Sequence, residues 1–264
     1  FRLSSVAEEK LAWIVGALYS NDRYDTVEAF DFSDSLGPTV GSPDRFVPIT
    51  EYVQETDTAA IFTHLEYEVA THLRAVVGLR YTYEKKEASR VVDSINNSTG
   101  EFDLEQSIVL TELLGGDFHS LGEASATASL GADYPIGAFS THRLSDTRSE
   151  KSFTPSVVLE WDASEDALIY ASIASGFKAG GFDARGARER DFEYDNESVL
   201  TYELGLKNRF SDGSAEVNVA LFYTDYEDLQ VSQFDGEAGF FVGNAPRAIS
   251  QGVELDGRYQ ISDS

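Results

Sequence analysis

SVLTYELGLKNRFSDGSAEVNVALFYTDYEDLQVSQ, residues 198–233, is the stretch that decides the fold. Two runs of alternating side chains meet at a short Ser211-Asp212-Gly213 turn. In the first run Leu200, Tyr202, Leu204 and Leu206 project to one side, and Thr201, Glu203, Gly205, Lys207 and Arg209 project to the other. A strand of a soluble sandwich is usually about 5–6 residues long. Here the alternation persists for roughly 10 residues per strand, the length that crosses a bilayer when tilted. One face is oily and aromatic while the other carries charge, which suits lipid on one side and a polar lumen on the other.

Composition narrows the classes. Hydrophobic residues make up 42% of the 264, yet no run approaches the roughly 18 apolar residues of a membrane helix. Closed β-structure is then the membrane option, because lipid cannot satisfy open backbone groups. With 46 acidic against 20 basic residues the net charge is −26, which excludes a nucleic-acid partner. Cysteine is absent, so there is neither a disulfide framework nor a thiolate metal site. Thirteen Tyr and seventeen Phe are enough to furnish interfacial aromatic girdles. The chain starts in mid-pattern at Phe1 without a signal peptide and stops at Ser264 inside a turn-like sequence. We therefore expect an internal fragment of a longer protein, all 264 residues belonging to one barrel domain.

Working outward from the opening hairpin, strands are expected at 1–5, 10–19, 58–69, 73–90, 153–161, 167–177 and 248–261. Residues 102–110 and 124–133 are weaker candidates inside an irregular region, 91–151. Short turns (70–72, 162–166, 211–213) alternate with long connections (20–56, 91–151, 178–196, 234–246). Short turns at one end and long loops at the other describe outer-membrane barrels, and connections beyond about 12–15 residues count against a compact soluble domain. The expected fold is an all-β antiparallel transmembrane barrel, present in part as about nine or ten strands.

Several segments in order resemble the β-barrel of TonB-dependent outer-membrane receptors. They are Val77-Gly78-Leu79-Arg80-Tyr81, then Phe153-Thr154-Pro155-Ser156, then Ser175-Gly176-Phe177-Lys178-Ala179-Gly180-Gly181-Phe182, then Tyr202-Glu203-Leu204-Gly205-Leu206-Lys207, and Ser250-Gln251-Gly252-Val253-Glu254-Leu255. The resemblance implies a barrel of about 22 strands in the bacterial outer membrane, closed by an N-terminal plug. It further implies transport driven through the partner protein TonB, with a ferric siderophore as the commonest cargo and haem, cobalamin or glycans as others. The plug with its TonB box and the terminal strand are not found in this sequence. A passive porin or adhesin-like barrel is the alternative within membranes, and a secreted lectin or glycosidase is the soluble one. No cofactor is expected.

Candidate residues follow from the pattern. Gly176, Phe177, Lys178, Gly180, Gly181 and Phe182 form a strand-to-loop bend, with direct ligand contact as the lesser reading, because no helix follows to make a phosphate cradle. Glu66, Glu68, Arg74, Arg80, Glu203, Lys207, Arg209, Glu254 and Arg258 are expected to face the lumen as cross-strand charge ladders. Tyr19, Tyr81, Tyr83, Trp161, Tyr170, Tyr202, Tyr223 and Tyr259 are girdle candidates, since an amphipathic ring suits the headgroup boundary. His64, His72, His119 and His142 share no metal-ligand spacing, and no triad or paired-carboxylate constellation points to catalysis. The face assignment makes a first prediction. Leu204→Arg should cost insertion about 2–4 kcal/mol if it lies mid-bilayer, and Glu203→Arg far less; equal folded fractions in lipid would contradict it.

Overall fold

The computed structural model describes residues 1–5, 10–29, 46–96, 142–186, 189–210, 214–234 and 240–260. In chain order the strands are β1 (Arg2–Ser4), β2 (Leu11–Ala29), β3 (Phe46–Ala70), β4 (Leu73–Asn96), β5 (His142–Ser164) and β6 (Ala167–Lys178). There follow β7 (Gly181–Phe182), a 3-10 turn (Glu189–Asp191), β8 (Glu193–Tyr194), β9 (Glu197–Phe210), β10 (Ala215–Phe234) and β11 (Phe240–Tyr259). Nine of these form one antiparallel sheet in the order β1-β2-β3-β4-β5-β6-β9-β10-β11, and β7 pairs with β8 alone. Sequential neighbours throughout, with no crossover, make an up-and-down wall of the kind that closes into a barrel.

The sheet strands are longer than the sequence pattern indicated. β2 and β3 stay in unbroken register from Leu11↔Tyr67 to Ala29↔Ile49, so residues 20–29 and 46–56 are strand rather than loop. Likewise β4 runs to Asn96, β5 begins at His142, and β11 begins at Phe240 instead of 248. The reason is physical. Above Tyr19 the outward positions become Asn21, Arg23 and Asp25, because the wall has left lipid while its backbone pairing continues. Alternation of oily and polar residues reports lipid contact, and it fades where both faces are wet. The turn at 211–213, the weaker strand candidates at 102–110 and 124–133, and His119 all lie outside the described residues.

Burial separates this wall from a soluble core. Among the described residues the buried hydrophobics are only Tyr52, Ala60, Ala88, Phe182 and Phe192. Large apolar side chains such as Val157, Leu204 and Leu255 are instead 48%, 51% and 74% exposed. They share one face: Leu73↔Trp161, Val77↔Val157, Val157↔Ile173, Ile173↔Tyr202, Tyr202↔Tyr223 and Leu221↔Val253 are register partners. A continuous apolar face of this extent requires a non-aqueous neighbour.

The aromatic borders of that face fix how the strands sit. Along β10, Tyr223 is the last outward aromatic before Asp225, and its register row passes through Tyr202, Ile173 and Val157 to Val77. On β4 the corresponding border residue is Tyr83, six residues further along, and on β2 it is Tyr19, six residues beyond Trp13 in that same row. Six residues rise about 20 Å, against about 19 Å sideways to β4 and about 29 Å to β2, so the strands cross the border at about 35–45°. That is the tilt of transmembrane barrels. The opposite border drifts the same way, from Trp161 on β5 to Tyr259 on β11, four residues below the Trp161 row. Between Leu73 and Tyr83 the band then stands about 25 Å tall, the height of a barrel's hydrocarbon belt.

On the polar face, aromatic rings lie across glycines of the next strand: Phe62 over Gly16, Tyr170 over Gly205 and Phe222 over Gly252. A ring fills the space a side chain would occupy, so the pairs pack without lengthening the wall inward. The band predicts a depth profile. Val77→Arg at its centre should destabilise the protein in vesicles by about 2–4 kcal/mol, and Tyr83→Arg at its border by about 0–1 kcal/mol. Denaturant titration of the full-length protein in lipid reads both, and equal losses would refute the placement.

Candidate functional site

The expected lumen residues do share the polar face. Glu68 pairs with Arg74, Arg74 with Glu160, Ala220 with both Gly205 and Glu254, and Glu216 with both Arg209 and Arg258. Near the short-turn end they form ion pairs. The Arg74 guanidinium reaches Glu160 at 3.0 Å, with Asp162 at 3.8 Å and Glu66 at 3.9 Å, and Arg258 reaches Glu216 at 2.9 Å. Arg80 donates to the Thr82 hydroxyl at 3.0 Å, higher up the wall between Phe62 and Thr154. Such exposed pairs hydrate and order a wall more than they stabilise it.

Seven girdle candidates lie on the apolar face near its borders, and Tyr19 donates to Asp57 at 2.8 Å, its ring in the band and its hydroxyl toward the charged rim. Tyr170 does not fit that role. It lies on the polar face, donates to Glu203 at 2.5 Å, and carries Lys207 5.5 Å from its ring centroid. β6 is apolar at both parities (Leu168, Ile169, Ala171, Ile173, Ala174), so its sequence could not show which side is which. His64 is on the polar face, His72 occupies a turn with φ of 68°, and no group of three metal-ligating side chains occurs among the described residues.

The densest chemistry is at the long-connection end, where residues 179–186 and 189–196 lie against the wall. β4 and β5 present a charge quartet there: Lys86 is opposite Arg148, and Glu84 is opposite Glu150. The quartet grips a single residue by its backbone. The Gly180 amide donates to Glu150 at 3.0 Å, and its carbonyl accepts from Lys86 at 2.7 Å. Arg148 also bridges outward to Glu193 at 2.8 Å and Asp195 at 3.1 Å. Beyond the quartet, Tyr52 donates to the Phe182 carbonyl at 3.0 Å and Arg90 to the Asp183 carbonyl at 2.7 Å. Arg90 is fully buried and lies 5.0 Å from the Phe192 ring centroid, and Phe182 and Phe192 stack at 4.9 Å. Burial draws the Arg90 guanidinium down to about 10, with Asp183, Asp191 and Tyr52 opposing the shift, so it stays charged at neutral pH.

The far side of the segment is held by other strands. Gln230 donates to the carbonyls of Ala179 and Asp195 at 2.9 and 3.0 Å, and Asn244 both accepts from the Asp195 amide and donates to its carbonyl at 2.9 Å. Asp183 accepts from the Val242 amide at 2.6 Å.

The glycine-rich motif is thus a bend made for close approach. A Cβ on Gly180 would stand 2.5 Å from the Tyr194 carbonyl oxygen and 2.6 Å from Arg148 Cζ. Within the motif, Gly176 is still in the wall opposite Val199, the wall strand ends at Lys178, and Phe182 enters the buried cluster. Sequence reasoning missed Tyr52, Lys86, Arg90, Arg148, Gln230 and Asn244 as its partners. Several fell in stretches read as loop, and the paired glycines were the sole signal of a packed segment.

The arrangement holds peptide backbone. A family model of the "TonB dependent receptor-like, beta-barrel" domain matches residues 3–263. The chain belongs to this family. Among solved structures it is similar to the ferric yersiniabactin uptake receptor FyuA from Yersinia pestis. TM-score is 0.64 and identity 14%, over 99% of this chain and 32% of that one. The copper transporter OprC is similar over 96% of this chain and 38% of its own, with TM-score 0.50 and identity 12%. The TonB-dependent receptor chain described here thus spans about a third of the structures it matches, and at these identities the likeness shows the fold alone. It is a partial outer-membrane barrel wall.

Gly180→Ala is predicted to destabilise the docked segment by about 1–3 kcal/mol, as overpacking does. Gly257→Ala, whose added Cβ would meet nothing closer than 3.6 Å, should be neutral. Thermal unfolding of the purified protein in detergent compares them, and equal midpoints would show that the clasp is loose.

Proposed function

We propose that this chain is barrel wall of an outer-membrane active-transport receptor that captures a ferric siderophore and is energised through TonB. The observation that carries the reading is the family match over residues 3–263. The structure supports it in two ways: the strands continue well past the apolar band at the long-connection end, and the polar face is lined by paired charges. The long connections then stand outside the cell, where a scarce ligand is met, and the short turns face the periplasm. In this reading Glu66, Glu68, Arg74, Arg80, Glu203, Lys207, Arg209, Glu254 and Arg258 line the lumen and contact a plug, and TonB acts through that plug. FyuA is an uptake receptor for ferric yersiniabactin and OprC a copper transporter, so a metal or metal complex is the cargo class both neighbours point to.

Deleting the gene and measuring uptake of radiolabelled ferric complexes under iron limitation tests the proposal. Loss of uptake of one complex, matched by the loss on deleting TonB, is expected. Unchanged uptake of every complex would remove the iron assignment. Uptake that is lost with the gene but survives without TonB would instead indicate a passive barrel.

A further inference from the structure

The wall has a notch, and residues 179–186 and 189–196 are bonded to the strands on both sides of it. β6 stops at Lys178 and β9 starts at Glu197, while β5 on one side continues to His142 and β10 on the other continues to Phe234. The β5–β6 register ends at Ser156↔Ala174, and the β9–β10 register ends at Ser198↔Glu227. Above the last β6–β9 pair, Lys178↔Glu197, β5 and β10 stand about 14 Å apart, three strand spacings, with no strand of the nine-stranded sheet between them. Open strand edges are a liability that proteins cover.

We propose that residues 179–186 and 189–196 form a fixed strap that closes this side notch and stays docked while the barrel works, leaving ligand capture to the other connections. The anchors lie on both sides of the gap. Tyr52, Lys86, Arg90, Arg148 and Glu150 come from β3, β4 and β5, and Gln230, Val242 and Asn244 from β10 and β11. Arg148 and the Val242 amide take carboxylates and the others take the backbone itself: the amides of Gly180 and Asp195 and the carbonyls of Ala179, Gly180, Phe182, Asp183 and Asp195 all bond to wall side chains. Within the strap the Asp183 amide donates to the Phe192 carbonyl at 2.7 Å, closing it on itself. Beneath it lies the one buried apolar cluster among the described residues, Tyr52, Ala88, Phe182 and Phe192. Segments that open readily have few buried contacts and exposed backbone bonds. This one has the reverse, and lifting it would break bonds to five strands at once and expose the buried Arg90.

The sequence contains no cysteine, so single thiols report on the strap. Ala88 is 5% exposed beneath it, and Ser232 is exposed on β10. The full-length receptor carrying Ala88→Cys or Ser232→Cys, with cysteines elsewhere in the protein removed, is labelled on intact cells with a membrane-impermeant maleimide. Labelling is done before and after collapse of the proton gradient. Ala88→Cys should react at least about tenfold more slowly than Ser232→Cys in both states. Adding Arg148→Ala should abolish that protection. Reaction of Ala88→Cys at the Ser232→Cys rate in resting cells would overturn the proposal. Faster reaction in energised than in de-energised cells would make the segment a moving gate and overturn it as well. Should Ala88→Cys fail to assemble, hydrogen exchange of the unmodified receptor decides instead. Gly180, Asp183 and Asp195 amides exchanging as slowly as those of β4 support the strap, and exchange at the rate of free peptide refutes it. None of these readouts needs a known cargo, so failure of the iron assignment leaves the strap inference standing.

Discussion

Hydrocarbon offers no partner to a peptide group, and this constraint organises the wall. Every backbone amide and carbonyl inside the band must be satisfied by an adjacent strand, so the registers cannot break there. They do not: β2–β3 and β4–β5 remain in step over their full paired lengths. Side chains are then free to answer to their surroundings, oily outward and polar inward. The register shifts inside the described ladders lie outside the lipid. A shift between Glu68 and Ala70 and another between Asp162 and Ser164 adjoin the tight turns. The positive φ of Asp228 falls three residues beyond Asp225, above the band.

How much of this was legible follows from the same constraint. Leu200, Tyr202, Leu204 and Leu206 announce their face because lipid selects their partners Leu221 and Tyr223 as well. The strands were therefore readable where they cross the band, and the family resemblance rested on those crossings. Arg23 and Glu55 are equally well paired, yet both their faces are wet, so no periodicity marks them as strand. Tyr170 was misplaced for a related reason: a strand apolar on both faces carries no parity signal. The docked segment was least legible, since its bonds join Tyr52 to Phe182 and Asn244 to Asp195 across long stretches of chain.

Charge is used differently at the two ends of the polar face. Toward the short turns, Arg74 and Arg258 are partly exposed and form pairs of modest worth. Toward the long connections, Arg148 and Glu150 are mostly shielded, with side-chain exposures of 14% and 12%. There a carboxylate or guanidinium holding backbone contributes more, because water competes less for the bond. An overall charge of −26 therefore coexists with a few well-placed cations that each hold several carboxylate or carbonyl oxygens.

The clasp on residues 179–196 also bears on the order of assembly. Its near anchors come from β3 to β5 and its far anchors from β10 and β11, so its contacts span from Tyr52 to Asn244. Contacts this distant in sequence form after local hairpins, because the intervening chain must first be gathered at an entropic cost. The β10–β11 hairpin must have joined the sheet before Gln230, Val242 and Asn244 can receive the segment. Until then Phe182 and Phe192 have no cover and the Asp183 carbonyl is not yet held by Arg90, so the growing wall carries a sticky, half-built patch at its rim. Burying that patch is a late step in maturation, and chains arrested before it would present chaperones and proteases with their clearest mark of incompleteness.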